Sequence, residues 1–539
     1  MVSLMKSNSA VKITEKKYTI LAVLIGILVF LVMLPCLGNY FSGDDFFGYT
    51  YLAQLKDNPS VLLERYSWLT TIFYSWMNVS LYGQNPAGYF LSNILVHLAN
   101  VFMLGYFVRR LFKDDMLSLL VMFIFGVSPG YVESIFWISG VGHALLFFFI
   151  MLTLISFTAF LEKRNTSLLL LAVVFAFLAH LTIFDAAILP LLLLLTYWVF
   201  ENKPLKKIFL PGLIKTSPFI LITGVYVLTY LFVKTTQTIG SYYEFNLSLF
   251  ARAGKYFLDY ADFLRINYLL YGNMTAIVIS GILMTVVLVF LVFWIKDRVL
   301  KYGLLFTLFS MLPYLPVKTV AFFQYSRYRY IPFAGFSLIL AYLLFLAFRN
   351  LMARKKKDKM KKPLLALLFI FLVIYTGVNI YYIQLEEKGY KLFGEYHRAL
   401  VENIRPLAPS LPKDGLIIFF NDSNVCVPKD IAEKIQRRPM FVRGGAPWGL
   451  ISVDDLLNFM NLKSACPGYY YRVEAKDEII AKIRSGEYEG LLFTDKKGFS
   501  LFKFNDEFLK KALPEWEKAS ELGKNVTVLK CKKQGKQEQ

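Results

Sequence analysis

Cysteine and histidine are both scarce in this chain: four of each occur in 539 residues. The cysteines are Cys36, Cys426, Cys466 and Cys531, with no C-x-x-C pair and no Cys/His cluster at metal-ligand spacing. That excludes zinc ribbons and thioredoxin-like redox motifs. Cys36 falls in an apolar run and reads as packing, while pairing of Cys426 with Cys466 stays open. Neither a P-loop nor a Rossmann G-x-G-x-x-G is present, so a nucleotide site is not expected. No 34-residue helical repeat follows the apolar region. Charged residues make up only 18%, and acids are the minority, 38 against 59 Lys and Arg. The resulting +21 is not interleaved with any nucleic-acid module, so nucleic acid is not an expected partner.

What the chain has in abundance is apolar and aromatic surface. Hydrophobic residues reach 56% and aromatics 17%, with Phe 50 and Tyr 34. Soluble domains sit at about 45–50% apolar, so composition alone indicates a membrane protein in contact with a lipid bilayer. The first apolar run, Tyr18 to Leu37, follows Lys12, Lys16 and Lys17. It is long for a signal peptide and no small-residue cleavage site closes it, so it reads as a retained first helix.

A bilayer-crossing helix needs roughly 20 apolar residues. Runs of that kind give about eleven spans, near 18–38, 88–110, 115–136, 143–161, 167–184, 186–200, 213–233, 275–295, 303–322, 331–349 and 364–384. The short pair around Asp185 reads either as a broken helix or as two short spans. Clusters such as Lys16-Lys17, Arg109-Arg110-Lys113, Lys163-Arg164, Lys203-Lys206-Lys207, Lys296-Arg298-Lys301 and Arg354 to Lys357 fall in alternate connections. The positive-inside rule places them, with the amino terminus, in the cytoplasm. An odd number of spans then leaves the tail outside.

The expected fold class is therefore an α-helical polytopic membrane protein. Residues 1–384 form the membrane domain, with an interfacial loop at 39–87, and 385–539 form a small extracytoplasmic α/β domain. The tail alternates short β-like runs, Leu416 to Phe420, Gly490 to Phe493 and Phe499 to Phe504, with helical patterns at 429–437, 453–462, 476–484 and 506–522.

Several polar groups gather at the outer ends of these spans. Asp44-Asp45 follows the first helix; one of them reads as a general base, or the pair caps an interfacial helix. Arg65 binds a phosphate or snorkels to headgroups. His97 lies on one helical face with Phe90 and Asn93, either at a site or in a helix–helix hydrogen bond. Glu133, flanked by apolar residues, needs a partner. His143, Asp185 and Lys318 lie on the same side. Arg327 and Arg329 face outside against the charge bias and call for an anion, a lipid-linked phosphate being favoured over headgroup anchoring.

The order of these groups resembles the GT-C superfamily of membrane glycosyltransferases, most of all its protein O-mannosyltransferase-type branch. That branch carries an acidic pair after the first helix, matched by Asp44-Asp45. Its G-x-N-P-x-G-Y run with later Asn and His is matched by Gly83, Asn85, Pro86, Gly88, Tyr89, Asn93 and His97. Its P-x-x-x-E-x-x-x-W-I-S-G run is matched by Pro129, Glu133 and Trp137 to Gly140, and its R-Y-x-Y-x-P run by Arg327, Tyr328, Tyr330 and Pro332. The chain departs from the pattern at Tyr66, Phe90, Phe184-Asp185 and Ser326.

The resemblance, over roughly residues 20–350, implies inverting transfer of a sugar from a polyprenyl-phosphate donor to an acceptor protein, glycan or lipid. Asp44 or Asp45 would be the catalytic base. Arg65, His97, Glu133, Lys318, Arg327 and Tyr328 would bind substrate, and a divalent cation, if used, would have Asp45 and Glu133 as ligands. The plasma membrane is the expected location. A flippase for a lipid-linked glycan and a non-catalytic scaffold remain as alternatives.

Overall fold

Glu15–Met33 forms a helix because Thr14, in an extended conformation, caps it: its side chain accepts from the Lys17 amide. The apolar run then continues in a 3₁₀ turn through Gly38. The computed structural model describes residues 13–46, 48–49, 52, 55, 67–233, 246, 248–261, 274–317, 326–353, 360–404, 417–419, 469–475, 485, 490–495, 498–503 and 525–531.

Among the described residues, eight helices are long and apolar enough to cross a membrane: Glu15–Gly38, Pro86–Phe112, Ile138–Lys163, Phe184–Glu201, Lys206–Tyr230, Thr275–Trp294, Ser326–Ala353 and Lys361–Glu395. Asp115–Gly126 and Thr166–Thr182 are shorter apolar helices. This is a multi-pass helical membrane protein. Its outward faces carry the large apolar side chains that lipid requires, for example Leu283 at 61% and Phe293 at 80% exposure.

Three of the eleven expected spans are shorter than the apolar runs suggested. The run at 115–136 is helical only to Gly126, and a 3₁₀ turn opens at Pro129. The run at 303–322 appears as Arg298–Met311, ended by the turn Leu312–Tyr314 that contains Pro313; residues 318–322 lie outside the described residues. At Pro129 the preceding Ser128 is extended, as proline favours, whereas Leu312 before Pro313 keeps helical geometry and the α-helix tightens there into a 3₁₀ turn. The third is Thr166–Thr182, which extended Ile183 separates from a 3₁₀ turn holding Asp185, so the chain makes two separate helices there.

The chain divides into two units. One comprises Met1–Leu37, Leu62–Tyr74 and Ala87–Lys388; the other comprises Gly38–Val61, Ser75–Pro86 and Gly389–Gln539.

In the first unit the centre of the core is aromatic. His97, Phe125, Tyr131, Phe147, Tyr330 and Phe333 pack with ring centroids between 4.9 and 6.5 Å apart where they touch. Helices Arg298–Met311 and Tyr330–Ala353 approach closely through Gly303 and Gly335. A side chain at Gly335 would meet the Gly303 carbonyl at 2.7 Å. Small residues at such crossings let helix backbones pack without a hydrophobic drive between them. Within the loop expected at 234–274, Ser248–Ala261 forms an amphipathic helix.

In the second unit, strand β1 (Ile417–Phe419) and strand β2 (Tyr469–Ala475) both pair antiparallel with β5 (Asn525–Cys531), and β3 (Gly490–Asp495) forms a hairpin with β4 (Gly498–Lys503). β1, β3 and β4 fall on the β-like runs expected from sequence, while β2 and β5 lie outside them. The four helical patterns expected between them lie outside the described residues, as do Cys426 and Cys466.

Candidate functional site

Two of the motifs expected at the outer boundary, both in the first unit, meet around Glu133. Its helix is a single turn, Glu133–Phe136, and the Trp137 to Gly140 segment folds straight back over it. Gly140 is required there, since a Cβ would lie 2.4 Å from the Glu133 carbonyl oxygen. Asn93 holds this turn from the helix Pro86–Phe112: its Nδ2 donates to the carbonyls of Ile135 at 3.1 Å and Trp137 at 3.4 Å, while Tyr74 donates to its Oδ1 at 2.8 Å. Tyr74 closes a π-helical stretch, Leu69–Tyr74, in which the residues after Arg65 lie.

Glu133 is buried, at 7% exposure, and its carboxylate takes the turn Ser326–Arg329. The Arg327 amide donates to Oε2 at 3.0 Å and the Ser326 hydroxyl to the same oxygen at 3.3 Å, and the Arg327 guanidinium pairs with Oε1. In return the Glu133 amide donates to Ser326 Oγ at 3.2 Å. Ser326, where the chain departs from the resembled motif, serves the Glu133 turn with its hydroxyl. The guanidinium also lies 5.0 Å from the Trp137 ring and 5.1 Å from that of Tyr328, within cation–π range.

Beyond Tyr328 the polar line continues. Tyr328 stacks on Tyr314 at 4.9 Å and 12°, and His143 lies 5.3 Å from the Tyr328 ring. His143 Nε2 is 3.3 Å from Asp185 Oδ2, both side chains nearly buried. On the other side of the turn, Arg329 Nη2 reaches Asp259 at 3.2 Å. Asp259 is gripped from its own helix by Lys255 Nζ, at 2.7 and 2.6 Å. Arg252 of that helix donates to the carbonyls of Leu315 at 2.9 Å and Val317 at 3.2 Å. Burial pushes the neighbouring Tyr256 phenol well above its ordinary range, against the pull of Arg252 and Arg329, so it stays protonated. An apolar cavity of about 210 Å³ opens beside Asp259, lined by Phe333, Phe336, Phe371 and Tyr375 among others.

His97 sits away from this surface. It is fully buried, with Nδ1 2.7 Å from the Tyr330 hydroxyl and Nε2 3.4 Å from the Gly126 carbonyl. Asn100 donates to the same Tyr330 hydroxyl at 3.0 Å. These contacts tie His97 to Tyr330 and to the Gly126 carbonyl. Arg65 and Lys318 lie outside the described residues.

The acidic pair belongs to the second unit. Gly43–Phe46 is a 3₁₀ turn, and Asp45 reaches back so that Oδ2 accepts from the Ser42 amide at 2.8 Å and the Ser42 hydroxyl at 3.4 Å. That is the reciprocal half of a capping box. Asp45 is buried at 6% exposure, between fully buried Phe41 and Phe46 in sequence, whereas Asp44 is half-buried. Phe46 packs on His397 at 5.9 Å. For a divalent cation, Asp45 spends an oxygen on Ser42 and Glu133 spends both on the Ser326–Arg329 turn. Among the described residues no group of three or more His, Cys, Asp or Glu gathers at ligand distance.

Sequence reasoning missed Lys255 and Asp259 as partners of Arg329. Their i, i+4 spacing on an amphipathic pattern was a visible signal. It also missed Tyr314 and the pairing of His143 with Asp185, which no local pattern announces.

No family model matches the sequence, and no curated protein matches it. Among solved structures, the chain is similar to ArnT from Cupriavidus metallidurans bound to undecaprenyl phosphate, with TM-score 0.41 and 11% identity, over 92% of this chain and 99% of that one. It is also similar to the Archaeoglobus fulgidus oligosaccharyltransferase in its apo form, with TM-score 0.44 and 11% identity over 72% of this chain. The complex of that protein with Zn and sulfate gives TM-score 0.41 and 10% identity, again over 72%. This chain covers 58% and 55% of those two chains.

Proposed function

We propose that this protein is an integral-membrane glycosyltransferase that moves a sugar from a polyprenyl-phosphate donor to an acceptor at the outer face of the plasma membrane. One observation carries the reading: Glu133, Arg327 and Tyr328, drawn from two motifs 194 residues apart, form one ion-paired, aromatic-walled group at the ends of membrane helices. The order of the four motifs along the chain supports it.

The resemblance assigns the roles. Asp44 takes the proton of the acceptor hydroxyl as its oxygen attacks the anomeric carbon, and the bond from that carbon to the phosphate oxygen breaks with its electron pair leaving on the phosphate. Attack opposite the leaving group inverts the anomeric centre. Negative charge grows on the phosphate, and Arg327, with Arg65 or Lys318, stabilises it. A guanidinium suits this because its planar fork matches phosphate oxygens. Capping by Asp45 favours Asp44 as the base.

In this reading the membrane domain spans 1–384 with eleven crossings, and 385–539 is an extracytoplasmic α/β domain. The alternate placement of Lys and Arg clusters supports an inside amino terminus. The test is sugar transfer by the purified, reconstituted protein from a polyprenyl-phosphate sugar, with Asp44→Asn and Asp45→Asn made separately. Loss of transfer in Asp44→Asn with folding intact is expected. Full activity in both variants removes the base assignment. Movement of the lipid-linked sugar across vesicles without covalent change would identify a flippase instead.

A further inference from the structure

Three cations from three elements converge on one carboxylate where membrane helices end. Glu201 closes the helix Leu189–Glu201, and its side chain is only 13% exposed. Lys203 Nζ lies 3.0 Å from Oε2, Arg164 Nη2 3.6 Å from Oε1, and Lys215 Nζ 4.0 Å from Oε1. Arg164 follows the helix Gly142–Lys163, Lys203 lies in the turn after Glu201, and Lys215 belongs to Leu205–Val233. Both turns are set by left-handed residues, Arg164 at φ 54° and Asn202 at φ 55°.

Three positive charges against one negative leave a surplus of two. The carboxylate lies deep, while the side chains of Arg164 and Lys203 are 57% and 59% exposed, so the surplus faces outward. Glu201 neutralises one of these charges, and the remaining like charges repel unless a second anion joins them. Alongside the cluster, the helix Leu205–Val233 presents Leu210, Ile214, Leu221 and Leu228 as one exposed stripe, spaced by four, seven and seven residues.

We propose that this cluster binds the headgroup of an anionic phospholipid, with the phosphate on Arg164, Lys203 and Lys215 and an acyl chain along the Leu210–Leu228 stripe. Arginine engages phosphate oxygens through its fork and the lysines act as point charges. A free phosphate ion would satisfy the cations but leave the apolar stripe unused, which favours the lipid. The site is independent of the transfer reaction proposed above.

The test uses the full chain purified in a neutral detergent, with phosphatidylglycerol, phosphatidylcholine or inorganic phosphate added, reading the unfolding temperature and the lipid retained in native mass spectrometry. Phosphatidylglycerol is expected to be retained and to raise the unfolding temperature, and the other two are not. Arg164→Gln, Lys203→Gln and Lys215→Gln should each weaken retention about fivefold, because one basic residue near a membrane surface contributes that much attraction. Lys296→Gln, at an exposed lysine elsewhere, should change nothing. Equal retention by the triple variant and the parent overturns the proposal. So does stabilisation by inorganic phosphate alone, which would mean a free-ion site. Lys203 is exposed, so Lys203→Gln alone carries the test if the triple variant misfolds.

Discussion

Buried Glu133 and Arg327, whose side chain is 19% exposed, form an ion pair across 194 residues, and the same carboxylate also receives the Arg327 amide. The pair joins two connections that nothing local brings together. It fixes where the guanidinium points, since Trp137 and Tyr328 flank it within 5.1 Å.

Breaking this pair from one side should be costly. Removing one partner of a buried ion pair costs about 3–5 kcal/mol because the other charge stays buried. Glu133→Gln and Arg327→Gln are each expected to lower stability by about 3 kcal/mol, and the double variant by less than their sum. Thermal or denaturant unfolding of the purified protein checks this; strict additivity would show that the two do not interact. Arg327→Lys should keep more stability than Arg327→Gln yet lose most transfer, because an ammonium lacks the fork.

The acidic pair should split into a structural and a chemical member. Asp45→Ala removes the capping acceptor for Ser42 and should cost about 1 kcal/mol. Asp44→Asn should leave stability within about 0.5 kcal/mol of the parent while abolishing sugar transfer. The two readouts are measured on the same preparations, and a reversal of the pattern would move the base to Asp45.

Asp259 anchors the far side of the Arg327 turn through Arg329. Asp259→Asn leaves Lys255 and Arg329 facing a neutral group and should cost about 3 kcal/mol. Lys255→Met, which leaves the Asp259–Arg329 pair in place and fills similar volume, should cost clearly less. Unfolding midpoints of the two variants decide it, and equal losses would argue that Lys255 and Arg329 are not alternatives for Asp259.

Gly140→Ala tests the fold-back over Glu133. The added methyl would press on backbone at 2.4 Å, and no side-chain rotation relieves that. Overpacking of this kind typically costs about 1–3 kcal/mol. Transfer should fall with stability, because the displaced atom is the carbonyl of Glu133 itself. Parent-like unfolding would show that the turn yields freely.

Much of the membrane domain was legible because apolar runs of sufficient length have few other fates. Proline accounts for the stop before Pro129, where Ser128 is extended, and hydropathy is blind to it. Motif residues were legible as candidates through their positions, Glu133 and Arg327 among them. The role of His97 was not, since a helical face does not say whether it meets substrate or Tyr330. Asp45 showed the same ambiguity, and no local pattern announced its 2.8 Å contact with the Ser42 amide.

The sequence by itself determined that this is a multi-pass helical membrane protein with short β segments in its tail. Those properties are local: helix length, side-chain hydropathy and strand alternation depend on neighbours within a few residues. Tertiary structure alone decided that Glu133 takes Arg327, that Asp259 takes Arg329 and Lys255, and that Glu201 gathers three cations. Each of these gathers cations around a largely buried carboxylate that is expensive to leave alone, and which charge finds which depends on how the helices cross.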